Sequence, residues 1–225
     1  MAVPFMTWPE HQLFLFSREL ELLRSYLQTT SDSLNRLYQE LQDRVGNATS
    51  GLEYQDAQDV HQSFTHEVFQ LSVDFPRIYT TTSFVALYTL LEHQLDILCR
   101  MRQKECNYSI AIDDLKDKGI DAAKNYLVKV CGVSFPSETK EWQQIKDYQR
   151  LRNVIVHARG KLRPKDDTLR AFLARHKPDT VNAWGDISLT NNFCVDVTRV
   201  LETFMEQVTS AIPTQLTCHE LSTPR

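Results

Sequence analysis

Ile145-Lys-Asp-Tyr-Gln-Arg-Leu-Arg-Asn-Val-Ile-Val-His-Ala-Arg-Gly-Lys161 is the stretch on which the reading of this chain turns. Leu151, Val154, Ile155 and Ala158 stand at i, i+3, i+4 and i+7, the spacing of one buried face of an amphipathic helix. Asn153 and His157 are four residues apart and share the neighbouring face. Arg152 and His157 are five apart, about 140° around an ideal helix, so either the long Arg side chain bends or the last turn distorts for the two to converge. Gly160 supplies the stop. One reading of the cations here is structural, because the macrodipole and unsatisfied carbonyls of a last helical turn favour Arg152, His157, Arg159 and Lys161 without any further role.

Working towards the N-terminus, the same periodicity recurs. Thr7-Trp-Pro-Glu10 is a capping box with proline in the first turn. Leu13, Phe16, Leu20, Leu23, Leu27, Leu34, Leu37 and Leu41 then alternate steps of three and four, broken by polar Thr30, which predicts one long helix with a coiled-coil-like seam. A turn is expected at Gly46 to Gly51, and Val60, Phe64, Val68, Leu71 and Phe75 predict a returning helix that Phe75-Pro76 ends or kinks. Thr81, Thr82 and Ser83 are candidate caps of a third helix, with a seam of Phe84, Leu87, Leu91, Leu95 and Leu98 and with Glu92 beside it. A shorter helix is expected over Leu115 to Val130, weakened by Gly119, and the helix carrying the opening stretch starts near Glu138.

Towards the C-terminus, Leu169, Phe172 and Leu173 fit a short helix, residues 177–190 a small β-hairpin, and Phe193, Val197, Val200, Leu201, Phe204 and Val208 a last helix ended by Pro213. The fold class expected is all-α, a helical bundle: a long antiparallel hairpin over 7–76 packing on the core, the core itself over 77–212, and a disordered tail over 213–225.

The residues Arg152, Asn153 and His157, placed on an otherwise apolar late helix, together with the acidic Glu92 in the hydrophobic run from Ser83 to Cys99, resemble the signature of the HEPN superfamily of all-α proteins. The resemblance spans about residues 80 to 210. It implies a HEPN-like bundle and a metal-independent endoribonuclease acting on single-stranded or loop RNA, as in toxins and antiviral defence effectors. His157 would handle the proton, Arg152 would hold the scissile phosphate, Asn153 would position one of them, and Glu92 would orient Arg152. Active members of this family act as homodimers whose two motifs face one another, and the same is expected here. The resemblance equally covers non-catalytic members that serve as RNA-binding or protein-interaction modules. In members paired with a nucleotidyltransferase a Tyr stands two residues after the His. Here that position is Arg159, which makes regulation by that route doubtful and leaves room for a different antitoxin or regulatory protein.

Composition limits the alternatives. The 225-residue chain carries a net charge of −4, which excludes a polycation that coats nucleic acid indiscriminately. Between Lys140 and Lys177, however, 11 Lys and Arg stand against 4 Asp and Glu. This basic segment, either a solvated surface or an electrostatic footprint for RNA, makes Arg159, Lys161 and Arg163 the candidate RNA-binding residues. The cysteines at 99, 106, 131, 194 and 218 are odd in number and lack metal-ligand spacing, which predicts reduced, packed thiols, no metal site and no cofactor. Glu10 and His11 interrupt the opening residues where a signal sequence would be apolar, and no apolar run approaches the ~18 residues that cross a bilayer. A cytoplasmic protein without membrane contact is expected.

Overall fold

The computed structural model describes residues 6–176 and 185–213. It is an all-α helical bundle. Its helices are α1 (Trp8–Thr49), α2 (Tyr54–Phe69), α3 (Phe75–Cys106), α4 (Gly119–Lys129), α5 (Lys140–Ala158), α6 (Asp167–His176) and α7 (Asn191–Ala211). The starts follow local chemistry. The Thr7 backbone N–H and hydroxyl both donate to Glu10 Oε2, at 2.7 and 2.9 Å, so the backbone N–H holds the Glu10 carboxyl below its usual range. Thr139 and Thr190 cap α5 and α7 by accepting from the N–H of Trp142 and Phe193, at 3.3 and 3.1 Å.

Of the two outcomes expected at Phe75-Pro76, an end or a kink, the end does not occur. A π-helical turn, Gln70–Asp74, joins α2 directly to α3, and the Phe75 N–H donates five residues back to the Gln70 carbonyl. Proline has no N–H and its ring presses on the carbonyl four residues earlier, so a wider turn just ahead of it lets the helix run through. Thr81 and Thr82 are therefore interior to α3 and are not caps. Their hydroxyls donate to the carbonyls of Arg77 and Ile78, at 2.5 and 2.8 Å.

The seam of α1 also differs in register. Phe16, Leu20, Leu27, Leu41 and Val45 are buried, whereas Leu37 is 45% exposed. A straight helix at 3.6 residues per turn drifts away from a strict three-four repeat, and Tyr38 is the more buried of the neighbouring pair. No residue of α2 is fully buried, and it is tied to α1 by an ion pair between Arg44 and Glu67 and by the Arg44 guanidinium over Phe64.

The chain forms two compact units, and α1, α3, α5 and α7 supply segments to both. The described residues of the first are 6–21, 86–151 and 197–213. Its core includes Phe16, Leu91, Leu95, Tyr126, Ile145, Leu151, Leu201 and Phe204. Trp142 packs at 5.0 Å from Phe135 and 5.5 Å from Phe204, with the ammonium groups of Lys124 and Lys146 over its ring. The second consists of 22–85, 152–176 and 185–196, with the Phe193 ring against both Phe84 and Phe172.

Among the described residues strand pairing is confined to one antiparallel bridge between Lys161 and Asp186. The β-hairpin expected near 177–190 falls in part on 177–184, outside the described residues. Of the rest, residues 185–187 pair with 160–162, through Leu162 N–H to Gly185 O and Ile187 N–H to Gly160 O, both 2.9 Å. The expected disordered tail lies outside the described residues beyond Pro213.

Cysteine chemistry departs from expectation. Cys99, Cys131 and Cys194 are free and buried, but Cys106 is disulfide-bonded. Burial pushes the Cys131 and Cys194 thiols up to about 12, so neither is a nucleophile at neutral pH.

Lys146 ties α5 to α4 by donating to both oxygens of Asp121, at 2.8 Å each. Burial pulls the Asp121 carboxyl up, but the hydrogen bonds from Lys146 and Gln149 outweigh it and hold the group below its ordinary value of 3.8. A depressed carboxylate contributes stability above its unfolded pKa and loses it as pH falls through the folded one. Urea unfolding of the wild type and Asp121→Asn should thus differ fully at about pH 7 and converge below about pH 3.8. A difference that stays constant across this range would contradict the ion pair.

Candidate functional site

Thr139 starts α5, and Trp142, Ile145, Tyr148, Leu151 and Ile155 form its buried stripe. Because that stripe fixes the rotation of the helix, the orientation of the motif in its last two turns follows. Ile155 is buried and Val154 and Ala158 are half-buried, close to the face read from the sequence. Asn153 and His157 are exposed, and both lie about 200° around the helix from Ile155, on its outward edge.

Arg152 is half-buried. Its Nη1 donates to Asn153 Oδ1 at 3.3 Å, while Nε is shielded from solvent and has no acceptor among the described residues. A shielded guanidinium donor left unpaired is costly, and an anion is the partner that satisfies it best. The second unit therefore brings Arg152, Asn153 and His157 to one end of α5.

Past Ala158 the chain turns sharply. Arg159 has φ 53° and Gly160 φ 75°, two successive residues in the left-handed region, and the Gly160 N–H donates back to Val154 O at 3.1 Å. Glycine adopts this conformation freely, whereas an Arg there carries a steric cost. Arg159 is exposed and lines a cleft of about 290 Å³, whose wall on α3 includes Arg77, Thr81 and Thr82. His157 does not line it.

Lys161 and Arg163 are exposed on the segment that follows. The backbone N–H of Arg163 donates to Asp166 Oδ2 at 2.9 Å and holds that carboxyl below the usual range, and the Arg163 side chain pairs with the same oxygen at 3.5 Å.

Glu92 belongs to the first unit. Its Oε1 sits 2.5 Å from where a Cβ would stand on Gly119, the first residue of α4, which has φ +59°. It lines a recess of about 110 Å³ with Asp96, Asp117 and Lys118.

The sequence reading missed Arg77, Thr81 and Thr82. A signal was present: Thr81 and Thr82 stand four and five residues after Arg77, on polar positions that line one cleft once the helix is allowed to pass Pro76. Among the described residues no group of three His, Cys, Asp or Glu side chains is placed to hold a metal ion, and no helix is long and apolar enough to cross a membrane. Comparison with known proteins finds no matching family model, no similar curated protein and no similar solved structure.

The strain at Arg159 yields a stability prediction. Arg159→Gly removes the left-handed penalty at some cost in chain entropy and should raise stability by up to about 1 kcal/mol in urea unfolding. A clear loss of stability would mean that the Arg159 side chain contributes packing that outweighs the strain.

Proposed function

We propose that the chain is a metal-independent endoribonuclease of HEPN type that cleaves single-stranded or loop RNA by attack of the substrate's own 2′-hydroxyl. The observation that carries this reading is the outward edge of α5, with Asn153 and His157 exposed and the Arg152 guanidinium bonded to the Asn153 amide oxygen. Imidazole exchanges protons near neutral pH and guanidinium stays charged while binding phosphate bidentately. The His157 imidazole takes the 2′-OH proton as the 2′-oxygen attacks phosphorus. The bond from phosphorus to the 5′-oxygen breaks, and that oxygen leaves with a proton from a second imidazole. Arg152 offsets the charge that builds on the phosphate oxygens. The products are a 2′,3′-cyclic phosphate and a 5′-hydroxyl.

One imidazole per motif makes the second one the contribution of another copy, so the enzyme acts as a homodimer with the two α5 edges facing. Glu92 enters this reading through the family resemblance alone, as do a cytoplasmic toxin or defence role and restraint by an antitoxin or regulatory protein. A second reading, a non-catalytic RNA-binding or protein-interaction module, is favoured by the cleft that carries Arg77 and Arg159 apart from His157.

Incubation with mixed-sequence single-stranded RNA in excess EDTA tests the proposal. The wild type should release fragments ending in 2′,3′-cyclic phosphate, and His157→Ala should cleave at least about 100-fold more slowly. Absence of cleavage by a folded, dimeric wild type would overturn the nuclease reading in favour of the binding module.

A further inference from the structure

The cleft in the second unit lies across α5 from His157 and has a composition of its own. Among the described residues no acidic and no aromatic side chain lines it. Its charged groups are the guanidiniums of Arg77 and Arg159, both exposed. Ile78, 54% exposed, and the buried Ile155 and Ile187 give it an aliphatic floor. Gly160 adds no side chain, and a Cβ there would meet nothing within 4 Å, so the backbone leaves open space at that point. The hydroxyls of Thr81 and Thr82 donate to the carbonyls of Arg77 and Ile78 in their own helix, so their hydrogens are already engaged.

Each property narrows the occupant. Guanidiniums call for an anion, and a carboxylate matches their planar fork by paired hydrogen bonds. A purely apolar ligand would leave both cations unanswered, and a small anion would leave the isoleucine floor wet. An aromatic ligand would find no ring to stack on, whereas a flexible alkyl chain conforms to branched side chains. With the threonine hydrogens engaged, the two arginines are the side-chain donors that remain, so polar recognition is confined to one group of the ligand. We infer that this cleft binds a free aliphatic carboxylic acid, with its carboxylate at Arg77 and Arg159 and its alkyl chain on the isoleucine floor.

The size agrees. At about 30 Å³ for each water-sized group, a volume of about 290 Å³ holds about ten heavy atoms, as many as octanoate has. Arg77 is paired with Asp74 at 3.4 Å, with side chains 49% and 32% exposed. An ion pair that open to water is weak, and a second carboxylate can share the guanidinium. The left-handed Arg159 acquires a reason as well, because the turn that strains its backbone carries its side chain to the cleft, and strained backbone gathers where ligands are held. The inference does not depend on the nuclease reading.

Calorimetric titration of the full chain with octanoate tests it, beside acetate, which has the charge without the chain, and 1-octanol, which has the chain without the charge. Octanoate should bind at least about tenfold more tightly than either. From butanoate to hexanoate to octanoate the affinity should rise about two- to fourfold per methylene, and it should level off beyond about eight carbons as the chain outgrows the cleft. Arg77→Ala and Arg159→Gly, the second suited to the left-handed turn, should each weaken octanoate by at least about fivefold with the helical circular dichroism unchanged. Ile78→Ser, at an exposed position, should flatten the dependence on chain length. Arg170→Ala, an exposed charge on α6 outside the cleft, should leave the affinity as it is. No octanoate binding at millimolar concentration, equal binding of acetate or octanol, or unchanged affinity in both arginine variants would overturn the site. Tighter binding of N-acetyl-isoleucyl-leucine than of octanoate would overturn the free acid in favour of a peptide C-terminus. None of these outcomes bears on RNA cleavage, which is read separately with His157→Ala.

Discussion

The buried stripe of α5 sets what this protein presents to solvent. Trp142 is held among aromatic rings and lysine ammonium groups, Ile145, Tyr148 and Leu151 are fully buried, and Ile155 is 9% exposed. Burying side chains of this size is worth about 1.5–3 kcal/mol each, so the helix cannot rotate without losing most of that. With the rotation fixed, Asn153 and His157 face outwards, and the turn after Ala158 carries Arg159 to the cleft beside α3.

This constraint explains why the last two turns of one helix carry two different chemistries. On the outward edge stand an imidazole and an amide, and the half-buried Arg152 guanidinium, with one shielded and unmatched donor, bonds to that amide. On the other side is the cleft lined by Arg77 and Arg159 together with Ile78, Ile155 and Ile187. The first set has one proton-transfer group where phosphodiester cleavage needs two, which is why the proposed catalysis requires a second copy of the chain.

Much of the fold was legible because the residues that decide it act locally. The Thr7 capping box, the run through Trp142, Ile145, Tyr148 and Leu151, and the last helix from Asn191 all follow from spacing and caps. A helix end at Pro76 does not form, because the local rule that proline ends a helix takes no account of a π turn supplied just before it. That error turned Thr81 and Thr82 into caps and hid the α3 wall of the cleft. The disulfide at Cys106 was invisible for a different reason, since pairing depends on proximity in the fold and an odd count gives no sign of it. At the motif, spacing placed Asn153 and His157 on one face, but which way Arg159 points depended on a left-handed turn that an arginine does not advertise.

A cross-link reads directly whether two copies meet with their α5 edges opposed, as proposed. His157→Cys places a thiol on the outward edge, and Arg170→Cys places one on α6 as a control. Under mild oxidation the account predicts a covalent dimer for His157→Cys at low protein concentration and none for Arg170→Cys. A chain that sediments as a monomer, or a dimer that fails to cross-link through position 157, would contradict it.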